Sequence, residues 1–462
     1  MKFINKTKNS IYVQDLNLNI PYLESEDEQF ISSEDVKKSF CFQQLCYLGA
    51  LDITSVEDTR IEKNLYKFYC KNKLTKNAIP NDTRSQSGSA TEIIFRGQFY
   101  QSTGYAKVNK NLAINLHKQG IKVEIDPVSF NNIDVNEIEA KALSFLRRKN
   151  GKNAILLDSV VATQSSVNKQ LYSILYTTVE TNEASKQFIS EASKYNELWV
   201  TSSFCKDSFL KSGYQGDIKI VYPIVNKNLY NQNVKKILFR PNLEGFKFLS
   251  VMSWNYRKGK DVLLKSFCKR FHDVKDVSLV LLISEKNEKE IEKIKNEIAF
   301  YKNEFGNANI YACFKSIPEH QMASFYKSFD AFVLPSRGEG FGLIYCEASM
   351  CGLPVIATNY GGVLDFLSKN NSVLLDIDYL DKPQTNIHYW DSFCMPSLCS
   401  KSFSDSLSDS MFDMYKNYSF YKNQNQNLID IVEKKFNSSS VSYQAKTILN
   451  KIWKGIKNDS IY

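Results

Sequence analysis

The feature that most constrains the fold of this chain is a glycine-rich stretch between two short apolar segments. Residues 331–335 and Val355–Thr358 are apolar runs of strand length, and both predict buried strands. Residues 336–342 between them read Ser-Arg-Gly-Glu-Gly-Phe-Gly and predict a loop, and apolar spacing over residues 342–351 predicts a helix that Gly352 ends. The stretch therefore predicts a strand, a loop, a helix and a second strand in direct succession.

This succession of elements restricts the kind of ligand that can bind. A loop that leads from a strand end into a helix presents backbone N–H groups to an anion. Glu339 stands in the loop and Glu347 in the second turn of the helix, where their carboxylates would repel a lone phosphate. A carboxylate does, however, accept hydrogen bonds from vicinal hydroxyls. Phosphate and hydroxyl groups occur together in a nucleotide sugar, which we expect to be the ligand.

The order of residue types over residues 339–362 resembles the donor-site signature of glycosyltransferase family 4, whose members are retaining enzymes of the GT-B fold. The residues that carry the resemblance are Glu339-Gly340-Phe341-Gly342-Leu343, Glu347, Ala348, Gly352, Pro354-Val355-Ile356-Ala357-Thr358 and Gly361-Gly362. The resemblance implies an α/β protein with two Rossmann-like domains that face a central cleft. It also implies a nucleotide-diphosphate sugar substrate, UDP- or GDP-linked, and no separate cofactor.

The resemblance also implies roles for the residues of the loop and helix. Glu339 is expected to orient the hydroxyls of the donor sugar, and Glu347 to accept hydrogen bonds from the ribose. The residues expected to bind the donor through their backbone or by close approach are Gly340, Phe341, Gly342 and Leu343. The alternative is that the glycines and small residues serve only tight packing between strand and helix.

A group of cations follows another predicted strand, at residues 248–252. Residues 253–264 resemble the Arg…Lys-Gly-x-Asp-x-Leu-Leu element of the family, whose cations hold the donor diphosphate. The family often separates its Arg from its Lys, whereas Arg257 and Lys258 are adjacent and Lys260 is close, so the residue that touches phosphate stays open. Two fixed cations and a helix dipole can stabilise a departing diphosphate, and we expect no metal site. For any one of these cations the alternative is a solvated surface position.

The first half of the chain begins with a predicted strand at residues 93–95, a loop to Gly104 and a helix over residues 105–119. This opening resembles the first unit of family 4 enzymes, in which the loop glycine approaches the ligand, so Gly104 is a candidate binding residue. The alternative is an ordinary turn glycine. The spacing is not Gly-x-Gly-x-x-Gly, which argues against the dinucleotide fingerprint of dehydrogenases.

Polar residues follow a further predicted strand at residues 172–179. Ligand groups gather at the carboxyl ends of strands in open α/β sheets, so we expect Glu180 to face the site. Many family 4 enzymes carry a His-acidic pair in the corresponding loop, and Val179-Glu180 stands there in this chain. The resemblance implies an acceptor-side role for Glu180, and the alternative is that it caps the next helix, predicted over residues 184–193.

Composition narrows the class of protein without naming a function. The net charge of +9 over 462 residues is spread along the chain, which favours a solvated surface over a nucleic-acid footprint. The ten cysteines form no Cys-x-x-Cys pair, and Asp376-Ile377-Asp378 is read as a solvated turn. The chain shows no signal-peptide pattern and no apolar run near the roughly 18 residues of a membrane span, so we expect a cytoplasmic protein.

The chain divides into five predicted parts. They are a small accessory α+β module (1–72), a polar linker (73–90), an N-terminal Rossmann-like acceptor domain (91–240), a C-terminal Rossmann-like donor domain (241–436) and a crossover helix (437–462). Within the first part we expect two strands over residues 11–20, a helix from Ser33 and a strand near Leu51. The accessory module is a candidate for contact with a protein partner or for self-association.

These observations predict a metal-independent, retaining glycosyltransferase that moves a sugar from a nucleotide-diphosphate sugar to an acceptor hydroxyl. The acceptor stays open among a glycan, a lipid-linked sugar, a protein and a modified nucleic-acid base, and a membrane surface or nucleic acid stays open as a partner. Two alternatives remain: a non-catalytic GT-B scaffold or docking protein, and a nucleotide-sugar epimerase of the same fold.

Overall fold

The computed structural model describes residues 2–5, 11–13, 18–20, 29–30, 51–55, 91–128, 146, 154–168, 171–237, 243–381, 395–398 and 400–459. The strands are β1 (Lys2–Asn5), β2 (Ile11–Val13), β3 (Leu18–Ile20), β4 (Gln29–Phe30), β5 (Leu51–Ser55), β6 (Glu92–Gly97), β7 (Lys122–Pro127), β8 (Ile155–Ser159), β9 (Ser173–Thr177), β10 (Glu197–Val200), β11 (Ile218–Ile220), β12 (Phe246–Met252), β13 (Val277–Ile283), β14 (Ile310–Cys313), β15 (Ala331–Leu334), β16 (Val355–Thr358), β17 (Val373–Leu375), β18 (Leu380–Asp381) and β19 (Met395–Pro396).

The helices alternate with these strands through most of the chain. They are α1 (Gly104–Lys118), α2 (Lys186–Ala192), α3 (Ser203–Lys211), α4 (Lys260–Phe271), α5 (Glu288–Phe305), α6 (Glu319–Tyr326), α7 (Leu343–Met350), α8 (Lys401–Lys416), α9 (Tyr418–Lys435) and α10 (Ser438–Asp459). Short 3₁₀ helices lie at Ala162–Gln164, Tyr256–Lys258 and Gly362–Asp365. Alternation of strands and helices is the pattern of parallel sheets covered by helices.

Two six-stranded sheets account for most of the strands. The first has the order β11-β10-β9-β8-β6-β7 and the second the order β14-β13-β12-β15-β16-β17. The second sheet is parallel throughout, and in the first the pairs β6–β7, β6–β8, β9–β10 and β10–β11 are parallel. Strand β13 is buried at all seven positions because helices cover both faces of its sheet. These sheets confirm the predicted α/β class.

The chain forms two compact units. The first consists of Met1–Val160, Ser166–Ser173 and Ala445–Tyr462, and the second of Val161–Ser165 and Ile174–Gln444. In the first unit, Asn109 of α1 is fully buried and donates to the carbonyls of Gln98 and Ser159, which ties α1 to β8. Residues of α10 also belong to this unit, since Lys446 donates to the carbonyl of Gln119. The predicted domain boundaries remain predictions.

The structure adds strands that the sequence did not predict. The predicted strands near residues 11–20 and at Leu51 are present as β2, β3 and β5, but β1 and β4, which both pair with neighbouring strands, were missed. Residues 379–400 were expected to be irregular, and they include the antiparallel pair β18–β19. The helix expected from Ser33 and the linker at residues 73–90 lie outside the described residues.

Candidate active site

The turn after β12 places two cations at the carboxyl end of the second sheet. Arg257 and Lys258 lie in the 3₁₀ helix and are each 8% exposed, which removes the solvated-surface alternative for both. Gly259 follows with φ of +67°, and a Cβ at this position would overlap the carbonyl oxygen of Pro335. Glycine is required there for both reasons, and its close approach brings the cation turn against the end of β15.

The loop from β15 to α7 packs tightly against neighbouring backbone. A Cβ at Gly338 would overlap the carbonyl oxygen of Glu180, and a Cβ at Gly340 would overlap Oγ1 of Thr178. Gly362 in turn would overlap the carbonyl of Gly340 if it had a side chain. These glycines allow close packing with neighbouring loop residues, and the same contacts fix where Glu339 points.

Four charged side chains from three segments meet beside this loop. Lys258 Nζ lies 2.6 Å from Glu339 Oε1, and Arg257 Nη1 lies 3.3 Å from the same oxygen. Arg257 Nε lies 3.1 Å from Glu180 Oε2, and its Nη1 donates to the carbonyl of Gly338 at 2.6 Å. All four side chains belong to the second compact unit. We call Glu180, Arg257, Lys258 and Glu339 the charge cluster.

Burial and mutual charge shift the pKa values of the charge cluster in different directions. Burial raises the pKa of Glu339, but the charges of Lys258 and Arg257 outweigh burial and hold that pKa below its ordinary value. Burial is the largest influence on Lys258 and, with Arg257, lowers its pKa, against the attraction of Glu339. The pKa of Glu180 is raised, because burial and the charge of Glu339 exceed the effect of Arg257. The cluster therefore holds one carboxyl whose pKa is lowered, Glu339, and one whose pKa is raised, Glu180.

The interpretation of Glu180 as a helix cap is wrong. The side chain of Ser185 caps α2 by accepting from the backbone N–H of Phe188, whereas Glu180 contacts Arg257. Glu180 follows β9 by three residues, as expected for a group at the ligand edge of a sheet.

Glu347 lies in α7 and is 1% exposed. Its Oε2 accepts a hydrogen bond of 3.2 Å from the hydroxyl of Tyr326 on α6. Burial and the charge of Glu347 raise the pKa of Tyr326 well above its ordinary value, so this hydroxyl stays a donor. Glu347 is therefore held by a neutral donor.

The remaining predicted donor residues occupy the start of α7 and the core beside it. Gly342 precedes the helix with φ of +90° and provides no side-chain cap, so the first N–H groups of α7 rely on other acceptors. The ring of Phe341 packs 5.1 Å from that of Phe436 and 5.2 Å from that of Phe366, between ring centres. Any contact of Phe341 with a ligand would thus go through its backbone. Leu343 is the first residue of α7.

The structure separates Lys260 from the other two cations. Its ammonium pairs with Oε1 of Glu297 on α5 and lies 4.9 Å from the ring centre of Trp254. Lys260 therefore belongs to the contact between α4 and α5, and Arg257 and Lys258 are the cations of the charge cluster.

Gly104 lies in the first compact unit, where it is the first residue of α1. The side chain of Thr103 caps the helix by accepting from the N–H of Ala106 at 3.1 Å. A Cβ at Gly104 would meet no atom within 4 Å, so packing does not require a glycine at this position.

Sequence reasoning missed Arg337, which is fully buried in the loop from β15 to α7. Its guanidinium makes two hydrogen bonds of 2.7 Å with the carboxylate of Asp261. The sequence signal was present but indirect, since Asp261 is the acid of the Lys-Gly-x-Asp element and Arg337 an unexplained cation inside a glycine loop.

The described residues also bear on metal binding and on membrane insertion. Within the described ranges, no three His, Cys, Asp or Glu side chains are grouped so that they could hold a metal ion. Asp376 accepts hydrogen bonds from Asn359 and Lys369. No helix in the described part of the chain has both the length and the apolar character of a membrane span.

The two Rossmann-like halves, each built on a parallel sheet, define the GT-B fold. Sucrose-phosphate synthase from Thermosynechococcus elongatus matches with a TM-score of 0.57 at 14% identity, over 79% of this chain and 100% of that one. HepE from Anabaena, solved in complex with UDP and glucose, matches with a TM-score of 0.54 at 13% identity, over 78% of this chain and 100% of its own. The predicted fold class is thereby confirmed.

The sequence comparison agrees with the position of the site. Residues 234–378, which hold Arg257, Lys258, Glu339 and Glu347, match the sequence model of the family Glycosyl transferases group 1. D-inositol 3-phosphate glycosyltransferase from Paenarthrobacter aurescens is 44% identical over 55 residues, which is 12% of this chain and 14% of that protein. An uncharacterised protein of Sulfolobus islandicus rod-shaped virus 1 is 25% identical over 222 residues, 44% of this chain and 56% of the viral one.

Proposed function

We propose that this protein is a retaining glycosyltransferase of family 4 that transfers a sugar from a nucleotide-diphosphate sugar to an acceptor hydroxyl without a metal ion. The observation that carries the proposal is the charge cluster, in which Lys258 and Arg257 converge on Glu339 at the carboxyl ends of β12 and β15. The match of residues 234–378 to the group 1 family supports the same interpretation.

The cations have a defined task in this reaction. When the bond between the anomeric carbon and the phosphate oxygen breaks, its electron pair goes to the phosphate, and the diphosphate gains charge. Arg257 and Lys258 stabilise that charge from fixed positions, together with the N–H groups at the start of α7. Lys258 has three N–H donors, so its contact with Glu339 leaves room for a phosphate oxygen.

The carboxylates bind the hydroxyl groups of the donor. Glu339 is ionised because the cations depress its pKa, and it accepts hydrogen bonds from the donor sugar. Glu347 accepts from the ribose hydroxyls while Tyr326 holds its Oε2. Glu339 distinguishes a nucleotide sugar from a nucleotide alone, because the ribose that Glu347 binds is present in both ligands.

The acceptor hydroxyl attacks the anomeric carbon on the face that the diphosphate leaves, so the configuration is retained. A new bond forms from the acceptor oxygen to that carbon, and the hydroxyl proton passes to the leaving phosphate. Glu180 lies beside Arg257 and binds the acceptor through its carboxylate. Gly104 is proposed as a further ligand-binding residue, and residues 91–240 as the acceptor domain.

The wider assignments complete the proposal. Residues 241–436 are the donor domain, residues 437–462 the crossover helix, and residues 1–72 a module joined by the linker 73–90 that binds a protein partner or a second copy. The donor is UDP- or GDP-linked, and the UDP present in the HepE structure makes UDP-sugars the first to test. We place the reaction in the cytoplasm.

Liquid chromatography, which separates sugar isomers of equal mass, followed by mass spectrometry after incubation with a panel of nucleotide sugars tests the proposal. A glycosyltransferase consumes at least one donor and releases its nucleoside diphosphate, with the sugar on water or on an added acceptor. An epimerase would convert the sugar without such transfer, and a docking protein would leave every donor intact. Either of those results would replace the proposed function.

A further inference from the structure

We propose that Arg337 is a positioning residue that, through Asp261, sets the distance between the cations of the charge cluster and Glu339. This inference rests on the proposed function, because it concerns how the same site holds a diphosphate. Arg337 itself is not assigned a contact with substrate.

The side chain of Arg337 joins two loops that are far apart in sequence. It is fully buried, and its Nη1 and Nη2 each lie 2.7 Å from an oxygen of Asp261, in the first turn of α4. Nη1 also donates to the carbonyl of Tyr256 at 2.7 Å, and the guanidinium carbon lies 3.7 Å from the centre of the Tyr256 ring. The side chain thus contacts the residues on both sides of the pair Arg257-Lys258.

The backbone of the loop from β15 to α7 contacts the same turn. The N–H of Arg337 donates to the carbonyl of Arg257 at 2.6 Å, and the hydroxyl of Ser336 donates to that carbonyl at 3.2 Å. Glu339 follows two residues later and meets Lys258. The segment that carries the cations and the segment that carries Glu339 are therefore fastened to each other next to the charge cluster.

The charge of Asp261 explains why Arg337 positions the cations of the charge cluster and does not itself bind phosphate. Burial raises the pKa of Asp261, but hydrogen bonds and charge from Arg337 outweigh burial and keep the pKa below its ordinary value. Asp261 is therefore ionised and neutralises the guanidinium. A planar fork that binds a carboxylate at two points also fixes orientation, which the single ammonium of a lysine cannot do.

A second ion pair, between Lys247 and Asp330, lies at the amino ends of β12 and β15 and provides a matched control. Asp330 directly precedes β15, and its Oδ2 accepts from the N–H of Lys247 in β12 at 2.8 Å and lies 3.5 Å from its ammonium. Strands β12 and β15 are neighbours and parallel, so this pair lies at their amino ends and away from the charge cluster.

The consequence concerns the phosphate groups of a nucleotide. If Arg337 and Asp261 hold the cations in place, substitution of either residue weakens the binding of a diphosphate more than the binding of a monophosphate. A residue that only stabilised the fold would weaken both nucleotides alike. The ratio of the two dissociation constants therefore reports positioning.

The experiment uses the full chain and the nucleoside diphosphate that binds most tightly among UDP, GDP, ADP and dTDP, with its own monophosphate. Titration calorimetry gives both dissociation constants for the native protein, Arg337→Lys, Asp261→Asn and Asp330→Asn. We expect the preference for the diphosphate to fall roughly 10- to 100-fold in the first two variants, as for a misplaced binding group. Asp330→Asn should keep the native preference.

Each outcome of this experiment supports or contradicts the positioning role of Arg337. Retention of the native preference in folded Arg337→Lys and Asp261→Asn overturns the inference, as does an equal loss of both nucleotides. Asp261→Asn keeps the shape of the carboxylate and serves if Arg337→Lys does not fold. A native protein that shows no preference for a diphosphate contradicts the proposed function itself, and the inference with it.

Discussion

The ammonium of Lys258 lies 2.6 Å from Oε1 of Glu339, although 81 residues separate them in the sequence. Parallel pairing of β12 with β15 brings their carboxyl ends to one edge of the sheet, and each residue belongs to the loop that follows its strand. Opposite charges that are buried together at this edge are a feature of ligand sites more than of structural cores. We therefore expect substitutions at this edge to change ligand binding.

Removal of the Glu347 carboxylate should weaken donor binding. Replacement by Gln is expected to cost about 2–4 kcal/mol, because one acceptor oxygen of the proposed ribose site becomes an NH2 donor and the remaining hydrogen bond loses the carboxylate charge. This corresponds to a rise of roughly 30- to 700-fold in the donor Kd. Titration calorimetry with the nucleotide sugar measures the change.

The matched control for this variant is Tyr326→Phe. It removes the hydrogen bond to Oε2 of Glu347 but leaves the carboxylate in place. We expect a donor affinity close to that of the native protein. If Glu347→Gln also keeps the native affinity, the ribose-binding role is wrong.

Gly340 should not tolerate a side chain. A Cβ there would overlap Oγ1 of Thr178, so Gly340→Ala is expected to lower stability by about 1–3 kcal/mol or more through overpacking. The double variant with Thr178→Ala should recover part of the loss, since the overlapping oxygen is gone. Differential scanning fluorimetry compares their midpoints of thermal unfolding.

Gly455→Ala is the control for that series. Gly455 lies in α10, and a Cβ at this position would meet no atom within 4 Å, so alanine fits and should raise helix stability by roughly 0.5–1 kcal/mol. Equal behaviour of Gly340→Ala and Gly455→Ala would show that the tight contact in the loop from β15 to α7 is absent.

The pH dependence of activity should report the ionisation of the Glu180 carboxyl. Its raised pKa means that the carboxyl stays protonated to a higher pH than the ordinary value of 4.5. Because the acceptor-side role needs the carboxylate, kcat/KM should rise with pH through a limb that lies above 4.5. The pKa of Glu180 that sets this limb depends on burial and on the neighbouring charges of Arg257, Glu339 and Lys258. In Glu180→Gln the limb should vanish, whereas an unchanged limb assigns the titration to another group.

The stability of the fold at acidic pH should report the protonation of Glu339. Its folded pKa lies below the ordinary 4.5, so the stability that its ion pairs provide is complete above pH 4.5 and is lost as the pH falls through the folded value. Glu339→Gln should cost on the order of 3 kcal/mol above that pH, because it leaves Lys258 buried without its carboxylate. Thermal unfolding followed by circular dichroism from pH 3 to 7 measures both proteins. A difference that stays constant below pH 4.5 would contradict the assignment.

Much of the second half could be predicted from the sequence because its strands are short, apolar and clearly bounded. The helix predicted over residues 342–351 is Leu343–Met350, and the strand predicted at residues 331–335 is Ala331–Leu334. Burial on both faces of a parallel sheet gives continuous apolar runs, which are easy to recognise. Strand β1 was missed because it is short and its pairing partners, β4 and β5, are distant in the sequence.

The sequence was enough to name most residues of the site but not to predict which of them contact each other. Resemblance to a known signature named Arg257, Lys258 and Glu339, but only the fold shows that Lys260 turns to Glu297 instead. Arg337 escaped notice because its partner Asp261 lies 76 residues earlier, and no local pattern links the two. Pairs formed across neighbouring strand ends depend on the tertiary fold, which a single sequence does not display.

The rate at which nucleoside diphosphate is released from nucleotide sugars, compared across the native protein, Lys258→Gln and Lys260→Gln, tests the central claim most directly. The two lysines are two positions apart, but only Lys258 contacts Glu339, while Lys260 pairs with Glu297. We predict release by the native protein and by Lys260→Gln, and a rate lower by roughly 100-fold or more in Lys258→Gln. Release at the same rate in all three proteins, or from no nucleotide sugar at all, would contradict the account.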